Sequence, residues 1–361
     1  MAGSVNRRTL IVGVVVIHAV LLAFVLFLLV RSRAPSNATD NEAEPVPAAG
    51  ATGSAAGAPA GGRAPVSAVG SSLPALNPAA NPVRAVPLSQ IRFTTGTGVL
   101  PAAVSAQTES CQAGILIDWG NRRILWSKSP DAQVPIASMT KMMTVLLLME
   151  RIRTDPSITL QTRVKVTKTA AEVAESQVYL DPREEFALDD LLKCIMVFSA
   201  NDVGHLVAEY LGGGTTAPFV AEMNKRAQEL GLTHTRFVTP HGLPVARQKG
   251  VDQSTPRELA YLGALLLNYP EVVKWSSTRV TSIRENDARF KPFQLVNRNG
   301  LVGKVEGVNG MKTGYTRAAG WCLTATCVRN GRTLICVVTG CPKSDVRNRL
   351  VESLLEWGYT Q

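Results

Sequence analysis

The sequence predicts an α/β (α+β) fold: an antiparallel sheet flanked by helices, with a helical lobe inserted between its strands. Three observations carry this. Strand patterns occupy residues 113–128, helical patterns fill much of 137–268, and strands followed by one helix close the chain after Gly310. Strands first, helices in the middle and hairpins last give an antiparallel sheet with an insertion, not alternating parallel units.

Each element has its own signal. AGILIDWGNRRILWSK (113–128) reads as two strands joined by a turn at Gly120-Asn121. PIASMTKMMTV (135–145) opens a helix that is apolar nearly all round, so it is expected to be buried on every side. ALDDLLKCIMVFSANDVGHLVAEYL (187–211) holds two helical stretches broken at SAND. TAPFVAEMNKRAQELG (216–231) is a helix ended by Gly231, and STPRELAYLGALLLN (254–268) opens with a cap residue followed by proline. WCLTATCV and TLICVVTG flank Arg329-Asn330-Gly331-Arg332, a strong hairpin signal. SDVRNRLVESLLEWGY (344–359) places Val346, Leu350, Val351, Leu354 and Leu355 on one face, as a helix packed on the sheet would.

The chain has 361 residues, and its composition breaks twice before this region. Residues 10–30, LIVGVVVIHAVLLAFVLFLLV, are apolar apart from His18. At helical rise they extend about 30 Å, enough to cross a bilayer. Residues 1–33 are therefore expected to be a membrane anchor. A cleaved signal with a site near Ser36-Asn37-Ala38, giving a secreted product, is the alternative. Residues 34–106, rich in Ala, Pro, Gly and Ser especially over 34–86, are expected to be a disordered tether. The folded domain is expected over 107–361.

The formal net charge is +10. Residues 1–106 hold seven Arg, no Lys and three acids, a net of +4, which leaves +6 on the rest. This mild bias suits an anionic cell-surface polymer or membrane. Without a basic cluster it does not suggest nucleic acid.

The chemistry-bearing residues fall in three places. Ser138 and Lys141, three apart on a helix, face the same way. A serine hydroxyl needs a base to become a nucleophile. A lysine buried at a helix N-terminus is pushed toward its neutral form and can serve as that base. A Ser-x-x-Lys is expected by chance about once in a chain of this size, so company decides. Ser199-Ala200-Asn201 falls at the break between two helices, where side chains project. Lys312-Thr313-Gly314 is the only Lys-Thr-Gly and opens a predicted strand, where glycine would let a ligand backbone approach. In this order the three are the signature set of penicillin-interacting serine acyl-transfer enzymes.

From about residue 111 to 358 the chain resembles the low-molecular-mass penicillin-binding proteins, serine-type D-alanyl-D-alanine carboxypeptidases. The matching stretches are ASMTKMMT, SANDV, the Met223-Asn224 helix with ELGLTHTRF, TPHGL and GVNGMKTGYTRAAGWCLTAT. The resemblance implies Ser138 as nucleophile, Lys141 as base, and Ser199 as proton relay to the leaving amine. It implies Asn201 on the substrate amide, Lys312 and Thr313 at the terminal carboxylate of a stem peptide ending in D-Ala-D-Ala, and Gly314 and Tyr315 among the substrate-binding residues. Backbone N–H groups of Ser138 and Tyr315 would form the oxyanion hole. It implies β-lactams as covalent inhibitors and no metal or organic cofactor. It also settles the orientation of the expected anchor: N-terminus inside, one span, catalytic domain outside the cytoplasmic membrane. Val203 stands where relatives carry a small residue, and Thr239 where they carry Asn.

A D,D-endopeptidase is the same chemistry with a different leaving amine. A class A β-lactamase would need an E-x-x-L-N glutamate between the second and third motifs, and none is present. A non-catalytic wall-peptide binder is the remaining alternative, and three intact motifs argue against it. His241 lacks a Gly-x-Ser-x-Gly elbow and reads as a structural loop histidine. The six cysteines include no Cys-x-x-Cys. With an Asn330-Gly331 turn they sit diagonally in the last hairpin and read as small buried thiols. A Gly331-Arg332 turn would oppose Cys322 to Cys341 and Cys327 to Cys336, permitting disulfides.

Overall fold

The structure, a computed structural model, describes residues 85–244 and 250–361. The span expected over 10–30 and the tether as far as residue 84 lie outside the described residues. Among the described residues no helix is long and apolar enough to cross a membrane.

The central sheet has six strands: β1 (Thr94–Thr95), β2 (Ala113–Asp118), β3 (Arg123–Lys128), β4 (Val308–Thr316), β5 (Gly320–Arg329) and β6 (Arg332–Cys341). Their order is β1-β3-β2-β6-β5-β4. The five longer strands pair antiparallel, as expected, and only the two-residue β1 runs parallel to its neighbour β3. The helices of more than one turn are α1 (Ala102–Thr108), α2 (Lys141–Thr154), α3 (Leu188–Lys193), α4 (Asn201–Leu211), α5 (Thr216–Glu229), α6 (Pro256–Leu266), α7 (Pro270–Ser276) and α8 (Ser344–Tyr359), and α2–α7 lie in the insertion between β3 and β4 with short strand pairs.

Both faces of the sheet are covered, which is why β2 is buried at every position. Alternation sorts its side chains. Ile115 and Ile117, with Ile335 and Val337 of β6, join the core shared with α2, α4 and α6. Leu116, with Leu334, Cys336 and Val338, joins the core under α8, where Leu350, Val351, Leu354 and Leu355 pack. Thr255 caps α6 by accepting from the Glu258 N–H, and Pro256 takes the first helical position.

The β5–β6 hairpin turns at Asn330-Gly331. Arg329 pairs with Arg332, and both turn residues are left-handed (φ 50° and 76°). Both central residues at positive φ make the type I′ geometry that Asn-Gly favours. Cys327 therefore faces Leu334 and Cys336 faces Ala325, and all six cysteines are buried with no disulfide between them.

The folded region begins earlier than the composition break suggests. Residues 85–106 were expected to belong to the tether, yet they carry a 3₁₀ turn (Leu88–Gln90), β1 and most of α1. Leu88 is buried and its N–H donates to the Leu230 carbonyl, Phe93 lies 5.9 Å from the Trp119 ring, and the Tyr261 hydroxyl donates to the Val86 carbonyl. A few anchoring side chains among prolines suffice to dock the segment, and composition averages them away.

Candidate active site

The site forms where α2, the α3–α4 junction and β4 meet. The chain enters α2 through Ala137, whose backbone is left-handed (φ 47°), and a 3₁₀ turn over Ala137–Thr140. Ser138 stands on that turn, and the α-helix proper begins at Lys141. Positive φ at a non-glycine residue costs about 1–3 kcal/mol and is held only where the surroundings fix it.

Lys141 is fully buried at the head of an apolar helix. Its Nζ lies 2.9 Å from Ser138 Oγ, 2.6 Å from Asn201 Oδ1 and 2.7 Å from the His241 carbonyl oxygen. Burial, reinforced by the charge of Lys312, holds the amine well below the usual lysine range, while Asp252 and Asp202 pull the other way.

The second motif sits where a helix fails. α3 widens into a π turn over Cys194–Phe198, Ser199 is left-handed (φ 67°), and α4 restarts at Asn201. Such π segments within helical runs are frequent at functional sites. The break projects Ser199 toward Lys312, whose Nζ lies 2.7 Å from Ser199 Oγ and 3.0 Å from the Thr313 carbonyl. Asn201 bridges two elements: Oδ1 accepts from Lys141, and Nδ2 donates to the carbonyls of Ala174 and Glu175.

The third motif lies inside β4, not at its start, because the strand already begins at Val308. β4 is an edge strand of the sheet. Lys312 is 2% exposed and reaches Ser199 from behind the cleft wall. The expected reason for Gly314 also changes. A Cβ there would stand 2.7 Å from the Ile136 carbonyl oxygen and 3.3 Å from Ala137 Cβ, so the close approach is to the protein's own Ser138 turn. Gly242 does the same from the other side. Its Cβ would fall 2.1 Å from the Ala137 oxygen and 2.7 Å from the Ser138 nitrogen, at φ +94°.

A narrow cleft is lined by Ser138, Ser199, Asn201, Thr313, Gly314 and Tyr315. The structure thus brings together all the residues singled out in the sequence, with Lys141 and Lys312 buried behind the lining. Tyr315 stacks on Trp321 with ring centroids 4.2 Å apart. Larger concavities exist, including one of about 1080 Å³ between α2 and α5, but Glu150, Arg151, Glu222 and Arg226 pair with one another there and offer no nucleophile beside a base.

Sequence reasoning missed several lining and supporting residues. Glu175, Ser176, Leu243 and Arg298 also line the cleft. Arg298 donates from Nε to the Phe198 carbonyl and lies over the Phe198 ring at 4.3 Å. Asp202 accepts the N–H groups of Val178, Leu180 and Val203, bolting the 175–180 loop to α4, and burial pushes its carboxyl up to about 6. Burial also raises Asp252. None of these falls at a spacing that marks it. The His241 ring, read from the sequence as structural, is buried, its Nδ1 accepts from the Leu243 N–H, and burial holds it well below the usual histidine range.

A protein-family model described as D-alanyl-D-alanine carboxypeptidase matches residues 101–343. D-alanyl-D-alanine carboxypeptidase DacF of Bacillus subtilis is 35% identical over 257 residues, covering 71% of this chain and 64% of the relative. The chain therefore spans a little under two thirds of that relative's length. The crystal structure of the D-alanyl-D-alanine carboxypeptidase DacD from Francisella tularensis is 26% identical, covers 70% of each chain and superposes with a TM-score of 0.64. Penicillin-binding protein D2 from Listeria monocytogenes, solved in an ampicillin-bound form, is 27% identical and covers 69% of this chain and 98% of that one, with a TM-score of 0.61. The matched segment contains the Ser138 turn, the Ser199 break and the Lys312 strand, and the chain belongs to the D-alanyl-D-alanine carboxypeptidase family of low-molecular-mass penicillin-binding proteins.

Proposed function

We propose that the protein is a serine carboxypeptidase that removes the terminal D-Ala from cell-wall stem peptides ending in D-Ala-D-Ala, and that β-lactams acylate it at Ser138. The observation that carries this is the surroundings of Lys141. Two of its three partners, Asn201 Oδ1 and the His241 carbonyl, can only accept. A neutral amine has two N–H bonds, both taken by these acceptors. Its lone pair then points at Ser138 Oγ, 2.9 Å away. The lysine is held in the one orientation in which it takes the serine proton.

The steps follow. Ser138 Oγ attacks the carbonyl carbon of the penultimate D-Ala, and its proton passes to Lys141 Nζ. The backbone N–H groups of Ser138 and Tyr315 would receive the oxyanion. Lys312 has only N–H groups to give to Ser199, so the Ser199 hydroxyl proton remains available to donate to the leaving amine. Asn201 would hydrogen-bond the substrate amide. The buried charge of Lys312, with Thr313 beside it, would attract the substrate carboxylate from behind the wall. Edge strand β4 offers main-chain pairing to an extended peptide. As the amine leaves, the proton held on Lys141 refills Ser199; water then attacks the ester carbonyl carbon and gives a proton to Lys141, which passes it to the departing Ser138 Oγ, so that both serines and the neutral amine are restored.

Residues 10–30 would anchor the protein in the cytoplasmic membrane with the catalytic domain outside, so that it reaches the wall. Protease added to intact spheroplasts should remove the domain, and full protection would refute this orientation. The activity is tested on the full chain with pentapeptide monomers and cross-linked dimers, products read by mass. Loss of one alanine from monomers, abolished in Ser138→Ala, is expected. Split dimers beside intact pentapeptides would make the protein an endopeptidase, and no change in either would leave only a binding role.

A further inference from the structure

Asp252 is 2% exposed and takes no part in the steps above. Its Oδ1 accepts from the N–H groups of Val238 (2.6 Å) and Thr239 (3.0 Å), and its Oδ2 accepts from the Thr239 hydroxyl (2.6 Å). Thr239 Oγ1 in turn accepts from the Gly242 N–H at 2.8 Å. The backbone carbonyl of Asp252 accepts from the Ile136 N–H, just ahead of the Ser138 turn. One residue therefore ties the 238–242 turn to the chain that enters the site. That turn delivers the His241 carbonyl to Lys141, places Gly242 against Ala137 and Ser138, and is pinned to α2 by the Thr144 hydroxyl on the Pro240 carbonyl.

A buried carboxylate is costly, and a neutral amide could accept two of these bonds. All three groups on the Asp252 side chain are donors, which suits the ionised form. Retaining a charge there points to a use for it. The charged and titratable groups facing Lys141 are Lys312 on β4, Asp202 on α4, His241 on the turn and Asp252 behind it. Lys312 disfavours the ammonium, and the two aspartates favour it.

We propose that Asp252 is a positioning residue for the acyl transfer: through Thr239 it locks the turn that seats Lys141 against Ser138, and it supplies a buried counter-charge to that lysine. This rests on the serine acyl-transfer reading above. The two effects separate by substitution. Asp252→Asn removes the charge and keeps most of the hydrogen-bonding shape. Thr239→Val keeps the charge and cuts the link to Gly242.

The test is the rate of acylation of the full chain by a fluorescent penicillin between pH 5 and 10, with thermal unfolding of each variant as the folding check. Acylation needs neutral Lys141, and losing a nearby negative charge lowers the pH at which the amine becomes neutral. D252N should move the acid limb of the profile down by about one pH unit. T239V should slow acylation about tenfold or more and leave the limb in place. An unmoved limb in folded D252N, or a wild-type rate in T239V, overturns the proposal. Should D252N fail to fold, T239V decides alone. Wild-type protein that is never acylated at Ser138 overturns the acyl-transfer reading and this inference with it, an outcome distinct from a negative result in the variants alone.

Discussion

Three glycines should respond to alanine in a graded way set by the space around each. At Gly242 the new Cβ would stand 2.1 Å from the Ala137 carbonyl oxygen, whereas real Cβ contacts stay at 3.0 Å or beyond, so the Ser138 turn must open by about 0.9 Å. The left-handed backbone (φ +94°) adds roughly 1–2 kcal/mol of strain. A 1 Å misplacement of reacting groups costs about a hundredfold in rate. Gly242→Ala should therefore lower acylation by a fluorescent penicillin about a hundredfold. At Gly314 the shortfall against the Ile136 carbonyl is only 0.3 Å, the difference between 3.0 and 2.7 Å, and φ is ordinary. Gly314→Ala should slow the same reaction about three- to tenfold, a smaller displacement of the same turn. Gly331 has φ +76° and nothing within 4 Å of a Cβ. Gly331→Ala should cost about 1 kcal/mol of stability in thermal unfolding and nothing in rate. A wild-type rate in Gly242→Ala, or the reverse order of the first two variants, would refute the view that these glycines set the position of Ser138.

Further outcomes follow from single contacts. Asn201→Asp sets a carboxylate 2.6 Å from Lys141 Nζ, favours the ammonium, and should move the acid limb of acylation up by about 1–3 pH units; a profile unchanged in position would count against Lys141 as the base. Asp202 titrates at about 6 in the fold against about 3.9 in the unfolded chain, so its ionisation costs up to about 3 kcal/mol above pH 6, a cost that vanishes below pH 4. Relative to Asp202→Asn, the wild-type melting temperature should thus fall as pH rises from 4 to 7, and parallel curves would exclude the effect. Arg284 and Glu184 form a pair with side chains 6% and 2% exposed, and Arg284 also donates to the carbonyls of Val178 and Tyr179. Arg284→Ala should cost about 3–5 kcal/mol in denaturant unfolding and open the 175–180 loop to proteolysis; a loss under 1 kcal/mol would mean the pair is solvated in solution.

Much of the fold was legible because its signals are local. The Asn330-Gly331 turn fixes the β5–β6 register by itself, and that register in turn keeps the cysteines apart. The buried α2 helix and α8 were legible because apolar periodicity reports burial directly. β1 was not, since two residues carry no period, and neither was the docking of residues 85–106, which rests on separate anchors rather than a pattern. The Ser138 turn shows the limit most clearly. Spacing places Ser138 and Lys141 on one face, but the structure puts the serine on a 3₁₀ turn and only the lysine on the α-helix. Their contact survives because a three-residue separation brings side chains together in either geometry.

The state of Lys141 was legible only in part from its neighbours in sequence. Helix position and apolar surroundings give the direction of its shift, and both are local. The acceptors that orient the lone pair come from Asn201 and His241, and the opposing charges from Lys312, Asp202 and Asp252. None lies on α2 itself: they come from α4, the 238–242 turn, β4 and the chain just ahead of α6. Ser-x-x-Lys therefore specifies a pair of groups, not a nucleophile and a base. Burial first, and then the charge of Lys312, disfavour an ammonium at Lys141. On the proposed reading the second and third motifs matter to the first for that reason: Asn201 supplies an acceptor that orients the Lys141 amine, and Lys312 a charge that disfavours its ammonium.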